Sequence, residues 1–423
     1  MATARKVVES LLRPVFAASF RRGLSTGPAT HPLLVLGLES SADDTCAAIV
    51  SSDRKILSNV VIKQHSIHES FGGIHPMHAM KAHQANMPEA ISRALSEANL
   101  SLADIDAFAC TRGPGMPGCL AVCNASAKAL AAATGKPLLG VHHMQAHALT
   151  PFLTASPNTD SPAPEFPFLT LLLSGGHTLL LLARSISSFS ILATTHDESI
   201  GASIDKVARA LQIPWALGAG SPGAALEKFA FPGGSAAPGA PAAPSSTDLP
   251  PDPSFTIPFP REMAFSYAGI RSAVTRILDA EPAASMSDAR RRQIARCYLE
   301  AAFEHIGEKV GMAMRKLGRE GQEVKGLVVS GGVASNLVLR QRSASDYARS
   351  WTRLADLNSR SSSLRQLFAQ ANNAAMIAFV GLLRLQRGLV DPLTMIHEGT
   401  WPITECEADF EQKEREEESA EAP

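Results

Sequence analysis

The sequence is poor in the features that mark disulfide-rich, thiolate-zinc and membrane-spanning proteins. Its 423 residues include only six cysteines, and none of them forms a CxxC pair, so a disulfide scaffold and a thiolate zinc site are both disfavoured. No run of about 18 apolar residues occurs, which argues against a membrane span. The formal net charge is −1, so any binding of nucleic acid would depend on a local patch rather than on bulk charge.

The chain contains enough apolar residues to build a large core, and its two terminal segments differ from the rest in composition. The chain is 45% hydrophobic, and its length predicts two or three domains. Residues 1–31 are basic and rich in Ser and Ala, which predicts a mitochondrial transit peptide and a matrix location, with an ordinary disordered tail as the alternative. Residues 405–423 carry nine acidic and two basic residues and are typical of a disordered acidic tail. Residues 232–256, rich in Pro, Ala and Ser, predict a disordered insertion at the surface.

Two segments far apart in the chain share one design. Residues 33–50 and 168–183 each read as an apolar strand, a small polar turn and a second apolar strand. This repetition indicates a duplicated α/β domain with a cleft between the halves. A third buried strand leads into a glycine turn at residues 326–336. Helical periodicity at residues 77–97 is interrupted by Pro88, so we expect two helices there.

The first chemical motif is the pair His143 and His147, at the i and i+4 positions of a helix that we expect to end near Pro151. This spacing places both imidazoles on one helical face, which suits two ligands of one metal ion. The residue after the first histidine is Met144, so the glutamate of an HExxH protease is absent. A pair of surface or capping histidines is the alternative, and His142 is a candidate helix cap.

Four further motifs give only weak evidence of a functional site when each is taken alone. Ser174, Gly175 and Gly176 form either a ligand-binding backbone turn or an ordinary hairpin turn. Asp205 either accepts hydrogen bonds from ribose hydroxyls or caps a helix. Asn336 follows a glycine pair and either contacts a nucleoside or serves a strand–helix turn. Asp43 either assists a metal–phosphate or nucleophile step or forms an Asx turn.

In their order along the chain, these motifs resemble the tRNA N6-adenosine threonylcarbamoyltransferase family, and especially its mitochondrial branch. The segments that carry the resemblance are LGLESSADDT, GGIHPMHAMKAH, TRGPGMPG, GKPLLGVHHMQAH, LLLSGGHT, DKVARAL, GGVASN and NNAAMIA. The resemblance implies two duplicated actin-like ATPase lobes of the sugar kinase and chaperone type around a central cleft. The first lobe would comprise residues 32–163 and 372–404, and the second residues 164–371.

The resemblance also implies a reaction and its partners. A threonylcarbamoyl group would pass from threonylcarbamoyl-adenylate to N6 of the adenosine beside the anticodon, in tRNAs that read A-starting codons. A separate synthase would supply the adenylate. The enzyme would be a homodimer with one divalent ion, iron or zinc, in each subunit.

The same resemblance assigns roles to particular residues. His143 and His147 would be metal ligands, Asp205 would contact the ribose, and Asn336 would contact the nucleoside. The loop that holds the adenylate would comprise Leu172, Leu173, Ser174, Gly175 and Gly176. Further substrate contacts would come from Gly223 and Glu227, with Gly218 or Gly220 as alternatives to the glycine. Asp43 is a candidate proton acceptor, as is the leaving phosphate.

One family position differs in a way that bears on activity. The aspartate expected as the third metal ligand is Asn372 here, and a neutral amide binds a dication more weakly than a carboxylate does. Three other functions therefore remain as alternatives. They are a kinase or ATPase of the same fold, a metallopeptidase, and a non-catalytic tRNA-binding subunit.

Overall fold

A computed structural model describes residues 31–155, 163–218, 221–232, 249–341, 365–368 and 373–406. The chain divides into two units, Met1–Leu33 and Leu34–Pro423, and all the elements described below lie in the second. Most of the predicted transit peptide, insertion and acidic tail lies outside the described residues, as do Gly220 and Asn372.

The first half of the fold is built on a five-stranded sheet. Its spatial order is β3-β2-β1-β4-β5, with antiparallel pairing of β1 to β2 and of β2 to β3, and parallel pairing of β1 to β4 and of β4 to β5. The strands are β1 Leu34–Glu39, β2 Thr45–Ser51, β3 Ile56–Ile62, β4 Ala107–Gly113 and β5 Leu138–His142. All seven residues of β2 are buried, as expected for a strand covered on both faces.

The second half repeats this sheet strand for strand. Its order is β8-β7-β6-β9-β10, again with two antiparallel pairings on one side of the first strand and two parallel pairings on the other. The strands are β6 Phe168–Leu173, β7 Thr178–Ala183, β8 Phe189–Thr194, β9 Gly326–Ser330 and β10 Arg365–Phe368. The predicted duplication is therefore confirmed, and the fold is the two-lobed α/β fold of actin-like ATPases and sugar kinases.

Helices cover the two sheets and connect their parallel strands. Helices α1 to α9 run over His65–Glu69, Pro76–Glu97, Pro117–Thr134, His143–Thr154, Ile200–Ala210, Pro222–Ala230, Ala268–Ala280, Asp288–Arg319 and Asn373–Leu385. Helix α9 returns from the second sheet to pack on β1, β2 and β4 of the first. We refer to the first sheet with its helices as the first lobe, and to the second sheet with α5 to α8 as the second lobe.

Helix ends follow the local sequence. The side chains of Ser199, Ser221 and Ser287 accept backbone N–H groups at the starts of α5, α6 and α8. The Ala-rich helix α3 ends at Gly135, which has the left-handed backbone conformation (φ 66°) that favours glycine.

Two proline-based expectations were wrong. Helix α2 runs unbroken through Pro88, because that residue lies on the exposed face, where water can satisfy the carbonyl that loses its N–H partner. Helix α4 continues past Pro151 to Thr154.

All six cysteines are buried and free of disulfide bonds, in agreement with the interpretation of their spacing. Among the described helices, none combines the length and the apolar character needed to cross a bilayer.

Candidate active site between the lobes

A cavity of about 300 Å³ lies between the two lobes. The first lobe lines it with the β1–β2 turn and with residues from α1 to the start of α2. The second lobe lines it with the β6–β7 turn, α5, α6 and the glycine turn after β9. Its volume falls at the lower end of the range of small-molecule sites. The cavity collects residues predicted from five separate motifs, namely Asp43, Gly175, Asp205, Gly223, Glu227 and Asn336.

The β6–β7 turn and the start of α5 are packed backbone against backbone. The Ser174 hydroxyl accepts the His177 N–H at 2.9 Å, and the Ser199 hydroxyl donates to the Gly175 carbonyl at 2.5 Å. A Cβ added at Gly201 would lie 2.5 Å from the Ser174 carbonyl oxygen, so only glycine fits there. The turn is therefore held rigidly, with Gly175 on the cavity wall.

Four other predicted loop residues are not on the cavity wall, namely Leu172, Leu173, Ser174 and Gly176. The side chains of Leu172 and Leu173 are buried, and that of Leu173 belongs to the hydrophobic core of the second lobe. Gly176 is in the turn but does not line the cavity. A Cβ on Gly331, whose φ is 100°, would lie 2.3 Å from the Leu173 carbonyl oxygen, so the two turns touch at this point. Gly218 ends a 3₁₀ helix, Trp215–Gly218, and is absent from the wall.

Asp205 and Gly223 meet on the wall of the second lobe. The Asp205 carboxylate accepts a hydrogen bond from the Gly223 backbone, and a Cβ on Gly223 would lie 3.7 Å from Asp205 Oδ1. Burial, with a smaller contribution from Asp43, raises the pKa of Asp205 to about 6. At pH 7 this carboxylate is ionised and close to the substrate space, so it can accept hydrogen bonds from hydroxyl groups.

Glu227 and Asn336 line the cavity and also accept backbone hydrogen bonds that stabilise the neighbouring chain. Glu227 Oε1 accepts the Leu337 N–H at 2.6 Å, and Asn336 Oδ1 accepts the Leu339 N–H at 3.0 Å. Both side chains thus cap a short helical segment at residues 337–341. Burial raises the pKa of the Glu227 carboxyl.

The histidine pair lies on α4, a helix that packs against β5 of the first lobe and against β6 and β9 of the second. The His143 and His147 rings are 4.7 Å apart between centroids and perpendicular. His142 is the helix cap, because its Nδ1 accepts the Met144 and Gln145 N–H groups. Burial lowers the pKa of His147 to about 4 and that of His143 well below its usual value, with smaller contributions from His177 in the Gly-Gly turn.

Each imidazole turns its Nδ1 toward a protein side chain. His143 Nδ1 is 3.5 Å from Glu39 Oε1, at the end of β1, and His147 Nδ1 is 3.3 Å from the Ser330 hydroxyl, at the end of β9. Glu39 is almost fully buried, and burial raises its pKa to about 7. Glu39 belongs to the first lobe and Ser330 to the second, so the histidine pair contacts both lobes.

The model of the tRNA N6-adenosine threonylcarbamoyltransferase family, TsaD, matches residues 55–355. The chain is 35% identical over 376 residues to the tRNA N6-adenosine threonylcarbamoyltransferase of Paramagnetospirillum magneticum, which covers 88% of this chain and 97% of the relative. It is also 35% identical over 383 residues to the Rhizobium etli protein of the same name, with 87% and 94% covered. The chain belongs to this family. The predicted family resemblance is confirmed, and the chain is placed among transferases that modify tRNA.

Solved structures give more distant similarities to this family member. Full-length HypF in its phosphate- and nucleotide-bound form has a TM-score of 0.46 at 12% identity, covering 84% of this chain and 56% of HypF. A ROK family glucokinase from Streptomyces griseus has a TM-score of 0.39 at 13% identity, covering 82% and 98%. The fold of this chain is defined by the strand order of its two sheets.

The histidine pair of this family member can supply two of the ligands that a divalent metal needs. Both imidazoles are neutral at pH 7, which is the form that binds a metal, and His143 Nδ1 is buried without a hydrogen-bond partner. In the part of the chain that the structure describes, the one group of three acidic or histidine side chains close enough to share an ion is Asp43, Asp44 and His65, with ligand atoms within 4.8 Å. The third position expected for the histidine pair, Asn372, is outside the described residues.

Sequence reasoning missed several residues of the site. His65, His68, Gly72, Gly73 and Arg209 line the cavity, and Glu39 and Ser330 hold the histidine pair. For two of them a signal was present, because Gly72 and Gly73 open the quoted GGIHPMHAMKAH segment. A Cβ on Gly72 would lie 2.7 Å from Arg209 Nε, so these glycines let an arginine of the second lobe reach the first.

Proposed function

We propose that this transferase moves a threonylcarbamoyl group from threonylcarbamoyl-adenylate to N6 of the adenosine beside the anticodon, in tRNAs that read A-starting codons. The observation that carries the proposal is the convergence of Asp43, Gly175, Asp205, Gly223 and Asn336 on one cavity between the lobes. These residues come from motifs up to three hundred positions apart, and they meet only because the domain is duplicated.

The second lobe holds the adenylate. Asp205 accepts hydrogen bonds from the ribose hydroxyls, and Gly175 and Gly223 let the backbone approach the nucleotide closely. Arg209 provides positive charge on the same wall, which favours the phosphate of the adenylate. Because the acyl group arrives already activated, the protein accelerates the reaction by positioning and electrostatics, and no protein nucleophile is needed.

His143 and His147 hold one divalent ion, iron or zinc. When bound, that ion polarises the carbamate carbonyl or anchors the threonyl carboxylate. Ser330 contacts His147 Nδ1 and leaves the other ring nitrogen of His147 for the ion. His143 Nδ1 lies 3.5 Å from Glu39 Oε1 without a hydrogen-bond partner, so that nitrogen is itself available to the ion. In the sequence, the position that the family resemblance assigns to the third ligand is Asn372.

In the transfer step, the adenine N6 nitrogen forms a bond to the carbamoyl carbon, and the bond from that carbon to the phosphate oxygen breaks. AMP leaves, and the attacking amine gives up one proton. Asp43 lines the cavity and is the side chain that we assign as proton acceptor, with the leaving phosphate as the alternative.

The test is transfer from preformed threonylcarbamoyl-adenylate to an unmodified tRNA transcript, with metal content measured on the same samples. We expect His143→Ala and His147→Ala each to lose bound metal and transfer, and the exposed His196→Ala to keep both. Retention of metal at the wild-type level in both site variants would remove the metal role. ATP consumption without tRNA, and no transfer, would instead support the kinase or ATPase alternative.

We further propose that the protein acts in the mitochondrial matrix as a homodimer and receives its adenylate from a separate synthase. The basic, Ser/Ala-rich character of residues 1–31 supports the location. A fluorescent fusion of the full chain should enter mitochondria, whereas the same fusion lacking residues 1–31 should not. Equal distribution of the two fusions would exclude a transit peptide.

A further inference from the structure

A cluster of exposed apolar side chains lies at the first-lobe edge of the cavity. Phe71, Ile74 and Met77 are 49%, 44% and 54% exposed, although they are within seven positions of one another. Large apolar side chains that are exposed together generally mark a binding surface. The segment between α1 and α2 that carries two of them includes Gly72, Gly73 and Ile74, which line the cavity itself.

Three rings within this surface contact one another. Phe71 is 4.8 Å from His75 and 4.8 Å from His78 between ring centroids, and His75 is 4.7 Å from His78. We call Phe71, His75 and His78 the ring cluster. About half of the Phe71 side chain stays exposed despite both ring contacts, so the cluster retains a free aromatic surface.

The backbone beneath the ring cluster is fixed. The His68 carbonyl accepts the N–H groups of Phe71 at 3.1 Å and of Gly73 at 3.3 Å, and His68 Nδ1 accepts the His75 N–H at 3.3 Å. Pro76 then starts helix α2. A rigid aromatic surface loses little conformational entropy when a ligand stacks on it.

We propose that the ring cluster stacks an unpaired nucleobase of the tRNA loop, next to the adenosine that enters the cavity. This inference rests on the proposed function. Proteins that recognise unpaired RNA commonly stack its bases on Phe, Tyr, Trp or His side chains, because every base offers a π-face. A nucleotide adjacent to the reacting adenosine must lie near the cavity rim, and there the chain places its three mutually contacting rings.

The test measures binding of a synthetic anticodon stem–loop RNA to the full chain. Loss of one stacked base typically weakens such binding by about tenfold or more. We therefore expect Phe71→Leu, which keeps an apolar side chain but removes the ring, to bind about tenfold more weakly, and Phe71→Trp to bind as the wild type does. Ile191→Ala, at an exposed apolar residue of β8 that does not line the cavity, is the matched control and should leave affinity unchanged.

A double-mutant cycle identifies the stacked base. Each loop nucleotide is replaced in turn by an abasic unit, and its effect on affinity is measured with wild type and with Phe71→Leu. At one position the abasic unit should weaken binding to the wild type but have little further effect on binding to Phe71→Leu, since that variant already lacks the ring on which the base stacks. Additive losses at every position, or equal affinity of wild type and Phe71→Leu, would overturn the proposal. A change in oligomeric state without a change in RNA affinity would reassign the surface to a second copy of the chain.

The outcome is separable from that of the proposed function. If the wild type transfers threonylcarbamoyl groups but no nucleotide couples to Phe71, the ring-cluster proposal fails alone. If coupling is found but no transfer occurs with preformed adenylate, the transfer reaction is wrong and the RNA contact stands.

Discussion

His305 illustrates how burial at a single residue makes stability depend on pH. The side chain is fully buried in α8, its Nε2 accepts the Ser266 N–H at 3.2 Å, and its ring is perpendicular to Phe265. Burial, with a smaller contribution from neighbouring Lys309, lowers the pKa of His305 to about 4, and Asp197 acts in the opposite direction. The folded protein therefore binds fewer protons at His305 than the unfolded chain does.

This difference fixes the sign of the pH effect. An unfolded histidine titrates near 6.5, so its contribution to stability is complete above that pH and is lost as the pH falls toward 4. Between pH 7 and pH 5 we expect the free energy of unfolding to fall by about 2 kcal/mol more in the wild type than in His305→Gln. Urea unfolding at the two pH values measures both slopes, and equal slopes would contradict the assignment.

At the same scale, the sequence revealed the chemistry of the site better than its supporting contacts. His143, His147, Asp205 and Asn336 stand in short motifs whose spacing is visible in the chain. Glu39 and Ser330 could not be recognised in this way, because each supports a histidine more than a hundred positions away and gains its role only when the sheets form.

At the scale of elements, the packing of α9 on β1 depends on one glycine. A Cβ added at Gly37 would lie 2.5 Å from the Ala374 carbonyl oxygen and 2.7 Å from the Ala378 nitrogen. Both contacts are to the backbone of the helix, which can yield only by moving as a whole. The close approach therefore brings α9, and the chain segment after Asn372, onto the sheet of the first lobe.

We expect Gly37→Ala to reduce the free energy of unfolding by about 1–3 kcal/mol, because the helix must shift or the strand must bend. Gly269→Ala is a matched control. Gly269 is in α7, no atom lies within 4 Å of its added Cβ, and alanine favours the helix, so stability should be unchanged or slightly higher. Denaturant unfolding compares the two, and equal midpoints would show that α9 tolerates the methyl group.

Elements were predictable where local periodicity and burial agree. The two hairpins were recognised because the apolar patterns of their strands are continuous. The unbroken course of α2 through Pro88 was not, since it depends on which face of the helix meets solvent, a property that the whole fold decides. The return of α9 to the first sheet depends on a contact between residues more than three hundred positions apart, so only the family resemblance, which assigns residues 372–404 to the first lobe, anticipated it.

At the scale of the whole molecule, the duplicated sheets place their turns face to face. The β1–β2 turn of the first lobe and the equivalent β6–β7 turn of the second contribute Asp43 and Gly175 to one cavity. A ligand in that cavity touches both lobes, so it should stabilise the molecule as a unit. By mass action, a ligand present at a hundred times its dissociation constant adds about 2.7 kcal/mol to the folded state.

This linkage gives a whole-molecule measure of the proposed adenylate site that needs neither tRNA nor turnover. A non-reactive acyl-adenylate analogue should raise the thermal midpoint of the wild type by several degrees. Asp205→Asn should lose most of that rise while keeping its affinity for tRNA, because the neutral amide replaces the carboxylate that we propose as acceptor for the ribose hydroxyls. Asp279→Asn, at an exposed position of α7 away from the cavity, should respond as the wild type does. An equal rise in Asp205→Asn and wild type would place the ribose elsewhere, and the second lobe would then hold the adenylate through its glycine turns alone.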